Sequence, residues 1–247
     1  MTQIVSIHSY RGGTGKSNTT ANLAALVARQ GKRVGIVDTD INSPGIHVIF
    51  GMDDAAIGKT LNDYLWGNCP IEEAAYEIDL PDTSGTVFLI PSSPKTGEIT
   101  RVLREGYEVG MLIDGLRELN TALDLDVLLI DTHPGLNDET LLSITISDVL
   151  IIVLRPDNQD YQGTGVTVEV ARKLDVPALY LLLNKVPAAF DAEDVKHTVE
   201  QTYGAKVPAV LPHADEMMVL SSAGIFAVEF PRHPLTRELE KLAALLG

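Results

Sequence analysis

The 247-residue chain holds one cysteine, Cys69, and one tryptophan, and aromatic side chains make up only 5% of it. A lone cysteine forms no internal disulfide, and without a CxxC pair there is no ligand set for a metal or an iron–sulfur cluster. Cations are also scarce: 19 Lys and Arg against 34 Asp and Glu give a formal charge of −15. Nucleic acid is held largely by neutralising its phosphates, so this balance argues against direct DNA binding. Arg29/Lys32/Arg33 and Arg232/Arg237/Lys241 could form local basic patches, but Glu229, Glu238 and Glu240 interleave with the second group. Both groups read as solvated mixed-charge faces. Long apolar runs are missing too; Val149–Leu154 and Leu179–Leu183 are far too short to span a bilayer. The opening MTQIVSIHSY has neither the cationic start nor the apolar block of a secretion signal. A cytoplasmic location is expected.

What is present excludes disorder: 45% of residues are apolar and 21% charged, as in ordinary globular chains. A chain of this length buries roughly 70–75% of its unfolded surface and needs no covalent staple. No Pro/Gly/Ser linker divides it, so a single domain over residues 1–247 is expected. Short Val/Ile/Leu-rich runs alternate with helix-length segments. The pattern predicts strands over Ile4–His8, Arg33–Asp38, Thr86–Ile90, Asp126–Asp131, Val149–Leu154, Ala178–Asn184 and Val207–Val210. Helices are predicted over Ser17–Gln30, Tyr107–Leu123, Asp138–Ser147, Gly163–Leu174, Ala192–Tyr203 and Leu235–Leu246. Near-continuous apolar strands separated by helices describe an α/β fold, a doubly wound, mostly parallel sheet with helices on both faces. The irregular stretch Pro44–Gly85 reads as a lid or a partner-facing surface.

Ligands of open α/β sheets sit beyond the carboxyl ends of the strands, and three such ends carry unusual residues. The first is Ser9-Tyr10-Arg11-Gly12-Gly13-Thr14-Gly15-Lys16-Ser17, between strand and helix. Glycines let the backbone wrap a phosphate with its amides inward, and the helix start adds positive charge. Lys16 can reach β- and γ-phosphates and the Ser17 hydroxyl can bind Mg²⁺. Tyr10 stands where the GxxxxGK[ST] pattern has its first glycine. The second end is Val37-Asp38-Thr39-Asp40, whose carboxylates are expected on one side with Mg²⁺ or a water between them and the phosphates. The third is Asp131-Thr132-His133-Pro134-Gly135, an acid that suits an outer-sphere Mg²⁺ contact and a glycine whose N–H can meet a γ-phosphate. Asn184-Lys185 ends a fourth strand, but Pro187 occupies the place where guanine-specific NKxD sites have their carboxylate. Adenine is therefore favoured, with a strand-end cap as the other reading of Asn184.

These ordered motifs make the chain resemble the ParA/MinD family of P-loop ATPases with a deviant Walker A loop. The resemblance runs from about Thr2 to the C-terminus. It implies a homodimer that forms with ATP between its subunits, each reaching the other's nucleotide through the cation near the start of the phosphate loop. That position is Arg11, where the family generally has lysine. The resemblance further implies Lys16 as the residue stabilising β/γ charge, Ser17 as the Mg²⁺ ligand, and Asp38 and Asp131 as supports of the metal shell. It gives Asp40 the attacking water to orient and makes Thr132–Gly135 the γ-phosphate switch. The nucleotide would lie on Gly12, Gly13, Thr14, Gly15, Lys16, Ser17, Asn18 and Gly135, with Asn184, Pro212 and His213 around the base. ATP and Mg²⁺ are the implied cofactors, and an unidentified protein the implied cargo or partner. His133 reads as a switch or interface residue rather than a general base.

Two further stretches stay open. Asp157–Thr164 is either near a dimer face or a polar loop with a helix cap. The last segment, with Leu235, Leu239, Leu242 and Leu246 on one face, lacks the cationic excess of a membrane anchor and reads as core packing; direct membrane binding is not expected. Cluster-carrier relatives are set aside because Cys69 is alone. The leading function is a slow, Mg²⁺-dependent ATPase switch; a small-molecule phosphotransferase or synthetase and a non-hydrolysing nucleotide-binding regulator are the alternatives.

Overall fold

The computed structural model describes residues 2–247. Its strands are β1 Gln3–His8, β2 Arg33–Asp38, β3 Tyr76–Ile78, β4 Thr86–Ile90, β5 Val127–Asp131, β6 Val149–Leu154, β7 Ala178–Val186 and β8 Lys206–Pro212. They form one 8-stranded sheet in the order β3-β4-β2-β5-β1-β6-β7-β8. Every neighbouring pair is parallel except β3 with β4. The helices are α1 Lys16–Arg29, α2 Ile46–Ile49, α3 Leu61–Leu65, α4 Thr96–Glu105, α5 Val109–Ala122 and α6 Asp138–Thr145. They continue with α7 Asn158–Lys173, α8 Ala192–Tyr203, α9 Asp215–Leu220, α10 Phe226–Glu229 and α11 Pro234–Ala243.

The central strands explain the two-sided burial. In β6, Val149, Ile151 and Val153 face one core layer, with Leu23 and Val27 of α1, Phe226 of α10 and Leu239 of α11. Leu150, Ile152 and Leu154 face the opposite layer, with Val168 of α7 and Val199 of α8. Both faces of a parallel strand must be apolar when helices cover both. The strand order reverses at β1, which lies between β5 and β6. The loop after β1 therefore opens into the crevice where such sheets bind ligands.

Several predicted boundaries shift for identifiable reasons. α7 begins at Asn158 rather than Gly163, because Asp157 caps it by accepting from the N–H groups of Gln159 (3.1 Å) and Asp160 (2.9 Å). Residues 158–164 are therefore helix, not loop. β7 continues past Asn184 to Val186, and α4 and the antiparallel edge strand β3 lie where no element was predicted. Pro44–Gly85 is not a lid: Ile46, Ile49, Leu61, Leu65 and Ile71 are buried in the core, and its segments form α2, α3 and β3. The last helix packs as expected, with Leu235, Leu239, Leu242 and Leu246 all buried. Arg29 and Arg33, both half-buried, are tied to the fold by donating to the Ala227 carbonyl (3.1 Å) and the Leu123 carbonyl (2.9 Å). Among the described residues, no helix is long and apolar enough to cross a membrane.

Phe226 locks the C-terminal helices to α1: it is fully buried, stacks on Phe230 at 4.8 Å and meets the His233 ring edge-on at 5.1 Å. Phe226→Ala should destabilise the fold by about 3–5 kcal/mol in denaturant titration, through lost burial plus the cavity left behind.

Candidate functional site

The loop after β1 is shaped by left-handed glycines, Gly13 at φ 75° and Gly15 at φ 104°. A β-carbon on Gly12 or Gly13 would meet nothing within 4 Å, so these glycines border open space. One on Gly15 would lie 2.4 Å from the Asn184 amide nitrogen, which makes glycine obligatory there. α1 starts at Lys16 with no side-chain cap and no acid in its first turn. Its leading N–H groups are thus left for an anion from outside the chain.

Carboxylates gather beside this helix start. Asp38 and Asp131 are register partners on β2 and β5, and both are buried. Burial pushes Asp131 up to about 6, against the opposing pull of Lys16, Ser17 and Thr20. Burial and the neighbouring Asp131 and Asp40 charges raise Asp38 well above the usual carboxylate range. Asp40 is raised by burial as well, while His133 and Lys16 oppose the shift. Lys16, itself 7% exposed, is the nearby ammonium. The Asp40 Oδ1 atom is buried without a hydrogen-bond partner. A cluster of acids held reluctant to ionise, with one unsatisfied oxygen, fits a cation. Among the described residues no three His, Cys, Asp or Glu side chains form a closed metal cage. Mg²⁺ keeps waters and takes few protein ligands, so it does not require such a cage.

The two aspartates of the D-x-D do different things. The strand ends at Asp38 and Asp40 lies in the turn beyond; of the two, Asp40 lines the glycine-rich cleft and Asp38 is buried behind it. Asp38 accepts from the N–H groups of Asp40 (3.0 Å) and Gly45 (3.3 Å), so it shapes the turn that presents Asp40. Gly135 also departs from expectation: its N–H donates to the Ser9 carbonyl (3.1 Å) rather than pointing into the phosphate cleft. This bond ties the 132–135 loop to the start of the phosphate loop. His133 donates from Nδ1 to the Pro134 carbonyl (2.6 Å), leaving Nε2 3.8 Å from Asp40 Oδ1. That separation is too long for a hydrogen bond.

Arg11 reaches α7 of its own chain, donating to Gln159 Oε1. The preceding Tyr10 packs against α7; a β-carbon on Gly163 would sit 2.2 Å from its ring. The ring of Tyr10 thus occupies a notch that exists because Gly163 has no side chain.

Two clefts meet at the loop. One of about 360 Å³ is lined by Gly12, Gly13, Lys16, Ser17, Asp40 and His133. The other, about 380 Å³, lies among Asn184, Pro212, His213, Ala214, Met217 and Met218. Gly15, Asn18 and Lys185 line both, making one groove with an acidic, glycine-rich end and a more apolar end. Asn184 is committed to the loop: its amide nitrogen donates to the Thr14 carbonyl (2.8 Å) and its oxygen accepts from Lys185 N–H (2.8 Å). It is a strut as well as a groove wall.

Sequence reasoning missed three residues here. Thr20 lies one helical turn after Lys16 with its hydroxyl 3.2 Å from Asp131 Oδ1, a helix-face periodicity that could have flagged it. His8, fully buried at the end of β1, donates from Nδ1 to the Thr132 hydroxyl (2.8 Å), which in turn donates to the Ile7 carbonyl (3.0 Å). Burial and the Lys16 charge push His8 down to about 3, so it stays neutral. Gly163 gave no local signal, because its partner Tyr10 is distant in sequence.

The family model described as ParA, NUBPL iron-transfer P-loop NTPase, matches residues 1–210. An uncharacterised ATP-binding protein of Methanocaldococcus jannaschii is 27% identical over 98% of this chain and 86% of its own length. The iron–sulfur cluster carrier protein of Pseudomonas fragi is 30% identical over 99% of this chain and 85% of its own. The septum site-determining protein MinD of Pyrococcus horikoshii, solved with Mg-ADP, superposes with a TM-score of 0.80. It covers 98% of this chain and 95% of that one at 23% identity, which establishes the shared fold.

The raised Asp131 has a thermodynamic consequence. A carboxyl whose folded pKa exceeds its unfolded one favours the fold at low pH and loses that contribution as pH rises through about 6. Without nucleotide or magnesium, Asp131→Asn should therefore melt higher than the parent chain at about pH 8 and no higher at about pH 4. Scanning calorimetry at the two pH values reads this directly.

Proposed function

The chain belongs to the ParA/MinD family of P-loop NTPases, and from that premise we propose that it is a Mg²⁺-dependent ATPase switch that dimerises around ATP. The observation that supports this most is the single groove joining an uncapped helix start, Lys16 and a carboxylate cluster to a base-sized apolar end. The phosphates lie along Gly12–Asn18, with Lys16 neutralising charge that develops between β- and γ-phosphate. Ser17 would hold the metal, with Asp131, steadied by Thr20, positioned to accept from its waters. Bound there, Mg²⁺ supplies neutralisation of phosphate charge. Asp40, aimed by its bond to Asp38 and keeping one free oxygen, orients the attacking water. Pro212 and His213 flank adenine beside Asn184.

Arg11 crosses to the partner's nucleotide, which requires it to leave Gln159. Gly135 meets the γ-phosphate once its bond to Ser9 opens, so nucleotide state and subunit contact change together. The dimer then engages a protein partner, and hydrolysis releases it. Iron–sulfur carriage, the activity named for the Pseudomonas relative, is not supported here, since Cys69 is the sole cysteine.

Asp40→Ala should retain ATP binding while lowering phosphate release roughly 10²-fold or more, the scale of losing one preorganised polar group. Hydrolysis at the parent rate would overturn the role given to Asp40. Arg11→Ala should lose ATP-dependent self-association in light scattering; an unchanged dimer would remove Arg11 from the interface.

A further inference from the structure

β7 runs two residues beyond Asn184, and its next residue, Lys185, has a φ of +58°. A β-carbon makes that left-handed conformation unfavourable, and a local bond helps to hold it: the Lys185 N–H donates to Asn184 Oδ1 (2.8 Å). Its side chain turns back over the phosphate loop, where Nζ donates to the Gly13 carbonyl at 2.9 Å. The adjacent Asn184 amide donates to the Thr14 carbonyl at 2.8 Å. Two consecutive residues of one strand therefore grip two consecutive carbonyls of the loop.

The planar trans peptide gives this grip a consequence. C=O and N–H of one peptide point in opposite directions. Drawing the Gly13 oxygen toward Lys185 turns the Thr14 N–H away from it, and drawing the Thr14 oxygen toward Asn184 does the same for the Gly15 N–H. Among the described residues, neither of these N–H groups meets an acceptor within the chain.

We propose that Lys185 is a positioning residue for the nucleotide's phosphates: its ammonium fixes the Gly13–Thr14 peptide so that the Thr14 N–H faces the phosphate before ligand arrives. The role rests on the reading of Gly12–Asn18 as the phosphate cradle. A donor held in place beforehand adds affinity because no ordering is left for the binding step. A lysine acting instead as a direct phosphate counter-charge would behave differently when the charge alone is removed.

The test is calorimetric titration of the full chain with ATP, ADP and adenosine, each with Mg²⁺, alongside steady-state hydrolysis. Lys185→Met should weaken ATP and ADP by the same factor, about tenfold, and adenosine far less, although Lys185 also borders the base end of the groove. KM should rise with kcat within about twofold. Lys185→Gln, which keeps a donor without the charge, should recover most of the affinity. Lys185→Gly, which relieves the backbone, should melt no lower than the parent yet still bind ADP weakly, separating the effect from misfolding. Parent-like ADP binding by Lys185→Met would overturn the proposal, as would a Lys185→Gln no better than Lys185→Met. Lys16→Ala serves as the control on the cradle itself: if it bound ADP like the parent, the cradle reading would fall and the role of Lys185 with it.

Discussion

The top edge of this sheet is organised by one electrostatic imbalance. Asp38 and Asp131 stand side by side on neighbouring buried strand ends, with Asp40 close by and Lys16 as their ammonium. Facing them is a helix start whose amides lack acceptors from any cap. Neither half is comfortable alone, since buried acids resist ionisation and orphan donors want an anion. A magnesium-bound polyphosphate would supply both missing charges at once. The neutral His8 beneath the site fits the same logic, because a second buried cation there would lift the demand for metal.

Around that imbalance the loops are coupled by hydrogen bonds. The 132–135 segment is anchored on β1 through Thr132 and tied to the Ser9 carbonyl through Gly135, and Ser9 in turn donates from its hydroxyl to the Arg11 carbonyl (2.7 Å). Arg11 then connects to α7 through Gln159. A ligand that competed for the Gly135 N–H would disturb Ser9, whose hydroxyl holds the Arg11 carbonyl, so occupancy at one end of this chain of contacts would be felt at the other. Such coupling needs a segment with two arrangements, and these bonds define the resting one.

How much of this the sequence revealed follows from the range of each interaction. The positions of the glycine loop, Lys16 and the aspartate that ends β5 were legible because strand, turn and helix are contiguous, and their pattern is local. Arg33–Asp38, Thr86–Ile90 and Val149–Leu154 were placed to the residue, since central parallel strands need apolar side chains on both faces. β3 was invisible: three residues pairing antiparallel at an edge carry no periodicity to read. The start of α7 was missed because polar residues 158–162 look like loop until Asp157 is recognised as their cap. Asp38 and Asp40 were paired on paper, yet only the backbone turn between them shows one acid steering the other. Asn184 was read as a base contact, and its bond to Thr14 crosses most of the chain length.

The Tyr10–Gly163 fit carries a constraint on how this chain can vary. The ring fills a hollow left by a missing methyl, so any descendant that acquires a side chain at 163 must shrink residue 10 in step. Relatives with glycine at the loop's first position are free of that bond and can carry bulk on the helix. Across an alignment the pair should therefore covary as bulky-with-glycine or glycine-with-bulky, which marks lineages where α7 and the loop evolve as one unit.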